Sequence, residues 1–209
     1  IIGMAIRFPG NVNNANDYWN LLINNIDAIE DIPDSRFDVS RYYEKTPQPG
    51  KINLKQGGFL KNIDLFDAPF FDLTRIETES IDPQQRLLLE VSYEALENAG
   101  INISELTDSN TGVFMGITNV DYQKKHFRST DANLVNPYSY TGVAVGANAG
   151  RISYAFGLQG PAVALDTACS SSLVAVHTAA QSLRNNDCNM AIVGAANIIL
   201  EPELSIVFS

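Results

Sequence analysis

Cysteine and histidine are scarce in this 209-residue chain: Cys169, Cys188, His126 and His177 are the whole supply. Structural zinc takes four Cys or His ligands in close pairs, and a disulfide framework takes several cysteines, so neither is expected. Basic residues are also few, with 14 Lys and Arg against 24 Asp and Glu, a net charge of −10. Non-specific nucleic-acid binding needs basic patches that neutralise phosphate, which excludes nucleic acid as an expected partner. Long apolar runs are missing too. The longest, MAIVGAANIIL from Met190, is interrupted by Asn197 and falls short of the roughly 18 residues that span a bilayer. The opening residues lack the basic start, apolar centre and small-residue cleavage site of a secretory signal. No membrane span and a cytoplasmic location are therefore expected.

What is present is enough apolar material for a sizeable core, 45% of residues, in one domain or two small ones at about 100 to 200 residues each. IIGMAIRFPG reads as a strand ending in the turn Pro9-Gly10, and NDYWNLLINNI as a surface helix capped by Asn16 or Asp17, with Tyr18, Leu21 and Leu22 on one face. From Ile32 to Leu73 the chain is rich in Pro, Gly, Asp and aromatics without a lasting period. Phe59, Phe66, Phe70 and Phe71 argue for an ordered excursion with short elements. The clearest helix is DPQQRLLLEVSYEALENAG: Asp82 as N-cap, Pro83 at the first position, Gln85 as capping-box partner, a stripe of Leu88, Val91 and Ala95, and Gly100 as the stop.

TGVFMGIT then reads as a strand, followed by a polar loop carrying Lys124, Lys125, His126 and Arg128. YTGVAVGANAGRISYAFGL reads as a helix whose Gly142, Gly146 and Gly150, four residues apart, suit close packing; it lacks the G-x-G-x-x-G of a dinucleotide loop. GPAVALDTA and NMAIVGAANIIL read as further strands. Short apolar strands alternating with helices give an α/β layered fold with a parallel or mixed sheet.

Between GPAVALDTA and a helix striped by Leu173, Val176, Ala180 and Leu183 stands Cys169. A strand, sharp turn and helix lift the turn residue clear of the sheet, the arrangement of a nucleophile elbow. The positive end of a helix favours a thiolate, and unpaired N–H groups there can stabilise an oxyanion on an attacked ester or thioester. Ser170, Ser171 and Ser172 can satisfy local backbone groups with their hydroxyls. On this pattern alone Cys169 fits a nucleophile and a buried small hydrophobe equally, while Cys188 fits only the second. His177 lies eight residues further on, about 12 Å along a helix at 1.5 Å per residue, beyond the roughly 3 Å of a direct proton transfer. It reads as a core or interface histidine, so the chain offers a nucleophile without a base.

DTACSSSLVAVHTAAQSLR resembles the active-site cysteine segment of the β-ketoacyl synthase domain of modular type I polyketide synthases. IIGMAIRFPG, DPQQRLLLEVSYEALENAG, TGVFMGI, GRISYAFGLQGPAVALDTACSSS and AIVGAANIIL fall in that family's order, and the resemblance covers essentially all 209 residues. It implies a thiolase-like α/β fold, of which this is the N-terminal half of an α-β-α-β-α arrangement, with a mixed sheet, packed helices and a homodimeric parent. It also implies that Cys169 takes an acyl chain from a carrier-protein thioester and passes it to a decarboxylated malonyl-type extender. The Cys169 N–H would be one oxyanion donor. Substrates would ride on the phosphopantetheine of an acyl carrier protein, with no cofactor bound directly. The resemblance places two catalytic histidines and a lysine in a second half, absent here, so the stretch alone is expected to be inactive. Tyr138, Gly142, Gly146, Thr167 and Ala168 are implied candidates for a substrate tunnel or dimer interface. A non-catalytic dimerisation or carrier-docking domain of the same fold, and a Cys-dependent hydrolase, are the competing readings.

Overall fold

The computed structural model describes residues 1–128 and 135–209. In chain order the elements are α1 (Ala15–Ile23), β1 (Glu30–Asp31), α2 (Val39–Tyr42), β2 (Gln56–Gly57), α3 (Arg75–Ser80), α4 (Pro83–Asn98), β3 (Thr111–Ile117), α5 (Asp121–Arg128), α6 (Ala147–Ala155), β4 (Ala162–Leu165), α7 (Ser171–Arg184), β5 (Met190–Ala196) and α8 (Glu203–Val207). They form two compact units, one of residues 1–5 and 63–197, the other of residues 6–62 and 198–209.

The smaller unit holds α1, α2, α8 and the antiparallel pair β1 and β2, in the register Glu30 to Gly57. Helix α1 is capped by Asn14, whose side chain accepts from the Asp17 N–H, two or three residues before the expected caps. The excursion from Ile32 is ordered around short elements, as its aromatics predict.

The larger unit is built on a three-stranded parallel sheet in the order β4-β3-β5. The central strand β3 is buried throughout, and its faces alternate. Val113, Met115 and Ile117 join Leu88, Leu89 and Leu96 of α4 and Ala149 and Ile152 of α6 in one core. Phe114 faces the other way, against Ala175 and Ala179 of α7 and against Cys188.

Helix α4 starts and stops on local signals. Asp82 caps it and Pro83 fills the first position. At its end Gly100, at φ +70°, donates to the Glu97 carbonyl while Ile101 donates to that of Leu96, the paired bonds of a Schellman stop. The expected capping box is not formed. The Asp82 N–H goes to the Gly142 carbonyl at 2.8 Å, and Gln85 spends its amide elsewhere.

Three further expectations, about segment types, are corrected. Residues 1–7 form no strand, because an extended segment becomes one only by pairing, and the Met4 N–H donates to the Asn98 side chain instead. The polar segment with Lys124, Lys125 and His126 is helix α5, started by Asn119, whose side chain accepts from the Asp121 N–H at 2.8 Å, and ended by Lys125, His126 and Arg128, which suit its negative end. The rest of that expected loop, residues 129–134, lies outside the described residues. The helix expected from Tyr140 begins only at Ala147. The carbonyls of Gly142 and Ala144 accept from the Gln85 amide at 2.9 and 3.5 Å, and Gly142 also from Asp82, which holds this stretch as turns.

The apolar stripe expected to seat α7 faces the wrong way for that task. Ser171, Ala175 and Ala179 are buried on the sheet, while Leu173, Val176 and Leu183 are 74%, 49% and 40% exposed. Small residues let the helix sit close over Phe114, and the large ones are left on its outer face.

Candidate active site

Parallel pairing brings the carboxyl ends of β3 and β4 side by side, with Gly116 opposite Leu165. Thr118 and Asp166, just beyond the ends of these strands, meet there: the Thr118 hydroxyl lies 2.8 Å from Asp166 Oδ1. The edge beyond the strands' carboxyl ends is where open α/β sheets place their ligands. Here it carries a tight turn, Asp166 to Ser170, that feeds α7.

The turn rests on one residue in an unusual conformation. Ala168 has φ +55°, a left-handed setting that costs a residue with a Cβ roughly 1 to 2 kcal/mol. Its own polar groups are held to compensate. The Ala168 N–H donates to Asp166 Oδ1 at 2.8 Å, and its carbonyl accepts from the Ser171 hydroxyl at 2.7 Å and the Ser171 N–H at 3.0 Å. These donors to Asp166, the Ala168 N–H first and the Thr118 hydroxyl second, hold its carboxyl below its ordinary range. Ser170 Oγ closes the other side of the turn on the Thr167 carbonyl at 2.7 Å. Ser170 and Ser171 thus do what their position at a helix start suggests.

Cys169 follows Ala168 and is exposed, which removes the buried-hydrophobe reading of this residue. Its N–H donates to no described residue, and the residue stands just before the first turn of a 14-residue helix. Cys188 is the opposite: 1% exposed, packed with Phe114 and Ala179, its thiol pushed up by burial. His177 is exposed on α7 and not a core residue. His126 lies on α5, its Nε2 2.9 Å from Ser139 Oγ.

The other candidates divide between two places. Thr167 and Ala168 belong to the Cys169 turn and are exposed. Tyr138, Gly142 and Gly146 belong to the turns before α6. Of the three glycines spaced at four residues, only Gly142 is closely packed: a Cβ there would run into the Ser80 carbonyl, whereas one at Gly146 or Gly150 would meet open space.

Around Gly142 lies a buried polar cluster. A well-capped helix start accounts for DPQQR in the sequence, yet Gln84 and Gln85 are buried and each ties α4 to a distant loop. Gln84 Nε2 donates to the Asn119 carbonyl at 2.9 Å, beside Thr118. Gln85 Nε2 donates to the Gly142 carbonyl, while its Oε1 accepts from Arg151 Nε at 2.9 Å. Arg151 Nη1 is paired with Glu77 at 2.9 Å. Asp82, 5% exposed, has its carboxyl pushed up to about 6, chiefly by burial. Partners 35 to 74 residues away leave no local signal for these roles. Thr118 was missed for the same reason, since its partner is 48 residues on.

Among the described residues no group of three or more His, Cys, Asp or Glu could hold a metal ion, and no helix is long and apolar enough to cross a membrane. The chain matches, over residues 1–209, the family described as Beta-ketoacyl synthase, N-terminal domain. It is 44% identical over 211 residues to one of the phenolphthiocerol/phthiocerol polyketide synthase subunits from Mycobacterium tuberculosis, covering 100% of this chain and 11% of that protein. To the mycocerosic acid synthase-like polyketide synthase of Mycolicibacterium smegmatis it is 44% identical over 203 residues, 97% of this chain and 10% of the other. Among solved structures, an oxazolomycin ketosynthase domain from Streptomyces albus superposes with a TM-score of 0.89 at 35% identity, covering 100% of this chain and 36% of that one. The module 6 ketosynthase of the Bacillus subtilis bacillaene synthase gives 0.85 at 38%, covering 100% and 34%.

Proposed function

Because the chain belongs to the β-ketoacyl synthase family, as its N-terminal domain, we propose that its parent is a condensing acyltransferase whose nucleophile is Cys169. The fold is the ketosynthase, thiolase-like one of its structural neighbours. The observation that carries the reading is the turn at Cys169: an exposed thiol and an amide N–H without a described partner, at a helix start beyond the carboxyl end of β4.

In the first half-reaction the Cys169 thiolate attacks the carbonyl of an acyl thioester. The carbonyl oxygen takes the negative charge, and the Cys169 N–H donates to it. When the intermediate collapses, the carbonyl-to-pantetheine sulfur bond breaks, the pantetheine thiolate leaves and is protonated, and the acyl group remains on Cys169. In the second, a malonyl-type thioester loses carbon dioxide. The resulting enolate carbon attacks the acyl-enzyme, the bond to Cys169 breaks, and a β-ketoacyl thioester leaves two backbone carbons longer. Proton transfer and decarboxylation need groups that the Cys169 turn does not supply, since His177 is exposed along α7. We assign them to a second half of the domain outside residues 1–209. The uncovered stripe of Leu173, Val176 and Leu183 supports such a half, as the surface it would close over.

The chain spans about a tenth of the polyketide synthases and about a third of the ketosynthase structures described above. Its partners are therefore proposed with its activity: an acyl carrier protein bearing phosphopantetheine, and a second copy of the parent as a dimer working in the cytoplasm. Loading is the test. The full-length protein, given an acyl thioester, should gain one acyl group on Cys169 by intact-protein or peptide mass spectrometry, and Cys169→Ala should gain none there and condense nothing. Unchanged condensation in that variant would remove the assignment.

A further inference from the structure

The peptide unit that joins Ala168 to Cys169 is a plane whose two edges do different work. Its carbonyl belongs to Ala168 and its N–H to Cys169, and in a trans peptide the two point in opposite directions. The carbonyl edge is fixed by Ser171, through the hydroxyl at 2.7 Å and the N–H at 3.0 Å. Whatever holds the carbonyl also aims the Cys169 N–H. On the reading of Cys169 proposed above, we infer that Ser171 is a positioning residue that aims the oxyanion donor.

Proton accounting gives Ser171 a defined role. A hydroxyl has one proton to donate and two lone pairs. The Thr118 proton is taken by Asp166 Oδ1 at 2.8 Å, and the Ser171 proton by the Ala168 carbonyl at 2.7 Å. The Ser171 oxygen accepts from the Thr167 N–H at 2.9 Å, with Thr118 Oγ1 at 3.2 Å. One side chain therefore spans the turn, gripping Thr167 by its N–H and the peptide after Ala168 by its carbonyl. The grip sits where Ala168 is left-handed, so without it the plane can turn towards an ordinary conformation and swing the Cys169 N–H away.

A separate observation fixes Ser171 itself. Gly116 of β3 lies beneath it, and a Cβ at Gly116 would come within 2.8 Å of the Ser171 backbone carbonyl carbon and 3.0 Å of its Cβ. The glycine lets the first turn of α7 descend onto the sheet, leaving Ser171 5% exposed. Ser171 is thus seated from below by the central strand and grips the turn from within.

An aiming residue is separable from a merely structural one, because only acylation builds an oxyanion. Alkylation of the same thiol by iodoacetamide is a displacement at carbon that builds none. In the full-length protein, Ser171→Ala should slow acyl loading of Cys169 roughly tenfold, less than the hundredfold or more of an oxyanion donor deleted outright. Its rate of Cys169 alkylation should stay within about twofold of the wild type, since the thiol and the helix start remain. In the double variant Ser171→Ala with Ala168→Gly the strain that would turn the plane is gone, because glycine takes the left-handed setting freely, so part of the lost loading rate should return, which tells a released peptide plane from a helix start that folds poorly. Loading of Ser171→Ala at the wild-type rate, loading and alkylation falling in parallel in it, or a double variant that loads no faster than the single one, would overturn the inference. Cys169→Ala run alongside separates the two claims: if that variant still loads, the nucleophile assignment fails together with what rests on it, whereas an unaffected Ser171→Ala beside an inert Cys169→Ala removes the aiming role alone.

Discussion

Replacing Asp82 by asparagine should make the larger unit more stable at neutral pH and nearly insensitive to acid at this site. Asp82 is 5% exposed, and its carboxyl sits at about 6 where an unfolded one sits at 3.8. Burial is the main cause. The Gln84 N–H and amide lower the value but do not outweigh burial, and the buried Asp121 carboxyl adds to the rise. Between pH 3.8 and 6 the native group holds a proton that the unfolded one has lost, so the native state binds more protons and stability rises as pH falls through this window. At 1.36 kcal/mol per tenfold change in proton affinity, ionised Asp82 costs about 3 kcal/mol at pH 7, roughly half of that at pH 5 and little at pH 4. The side-chain carbonyl of the introduced asparagine can still accept the Gln84 N–H, but its NH2 group faces the Gln84 amide at the place of a 3.3 Å contact, so about 1 to 2 kcal/mol of the cost should be recovered. The chain forms two compact units, and a single two-state transition is not expected of it. Hydrogen exchange of the peptides over α4 and residues 138–144, corrected for intrinsic rates, gives local opening free energies instead. In the wild type they should fall by about 1 kcal/mol or more from pH 5 to pH 7, and in Asp82→Asn stay flat. Equal slopes in the two proteins, or protection that rises with pH in the wild type alone, would refute the assignment of the cost to Asp82.

The remaining predictions concern close approach and charge geometry as well as the Cys169 turn. Gly142→Ala drives a Cβ into the Ser80 carbonyl and should cost about 1 to 3 kcal/mol, read as lost exchange protection over residues 138–144 with Cys169 alkylation unchanged. Arg151→Lys should fare nearly as badly as Arg151→Ala, because one guanidinium bonds Gln85 and Glu77 together and an ammonium point charge cannot copy that fork; thermal denaturation of α4 and α6, followed by exchange, compares them. Loading of Cys169 and its loss in Cys169→Ala, and the split between acylation and alkylation in Ser171→Ala, complete the set.

What could be read beforehand follows the range of the forces involved. The limits of α4 were legible because Asp82, Pro83 and Gly100 act within a turn of their own positions. Strand β3 was legible as a short apolar run, buried throughout, and the start of α7, with the place of Cys169, from the local change of pattern after β4. Residues 1–7 misled because a strand is made by its partner. Residues 140–146 misled because α4 claims their carbonyls from some 57 residues away. The α7 stripe inverted a rule of thumb: Leu173 and Val176 are the larger apolar residues, but Ala175 and Ala179 are the ones that fit over Phe114. At the site, the serines after Cys169 were visible as local caps, while Thr118, which joins β3 to the turn, is separated from Asp166 by the whole of α5, α6 and β4.

That last separation sets where the chain tolerates insertions. Thr118 and Asp166 meet because β3 and β4 run the same way, in the register Gly116 to Leu165. Their distance is set by that register, so a residue added in the connection where it leaves the Gln85 bonds to Gly142 and Ala144 in place leaves the turn where it was. One residue added between Leu165 and Asp166 is different: it displaces the carboxylate by about 3.3 Å and turns it to the other face of the strand. The turn around Cys169 is thus ruled off from the sheet like a mark on a gauge, indifferent to the length of the connection and intolerant of a single step in the strand.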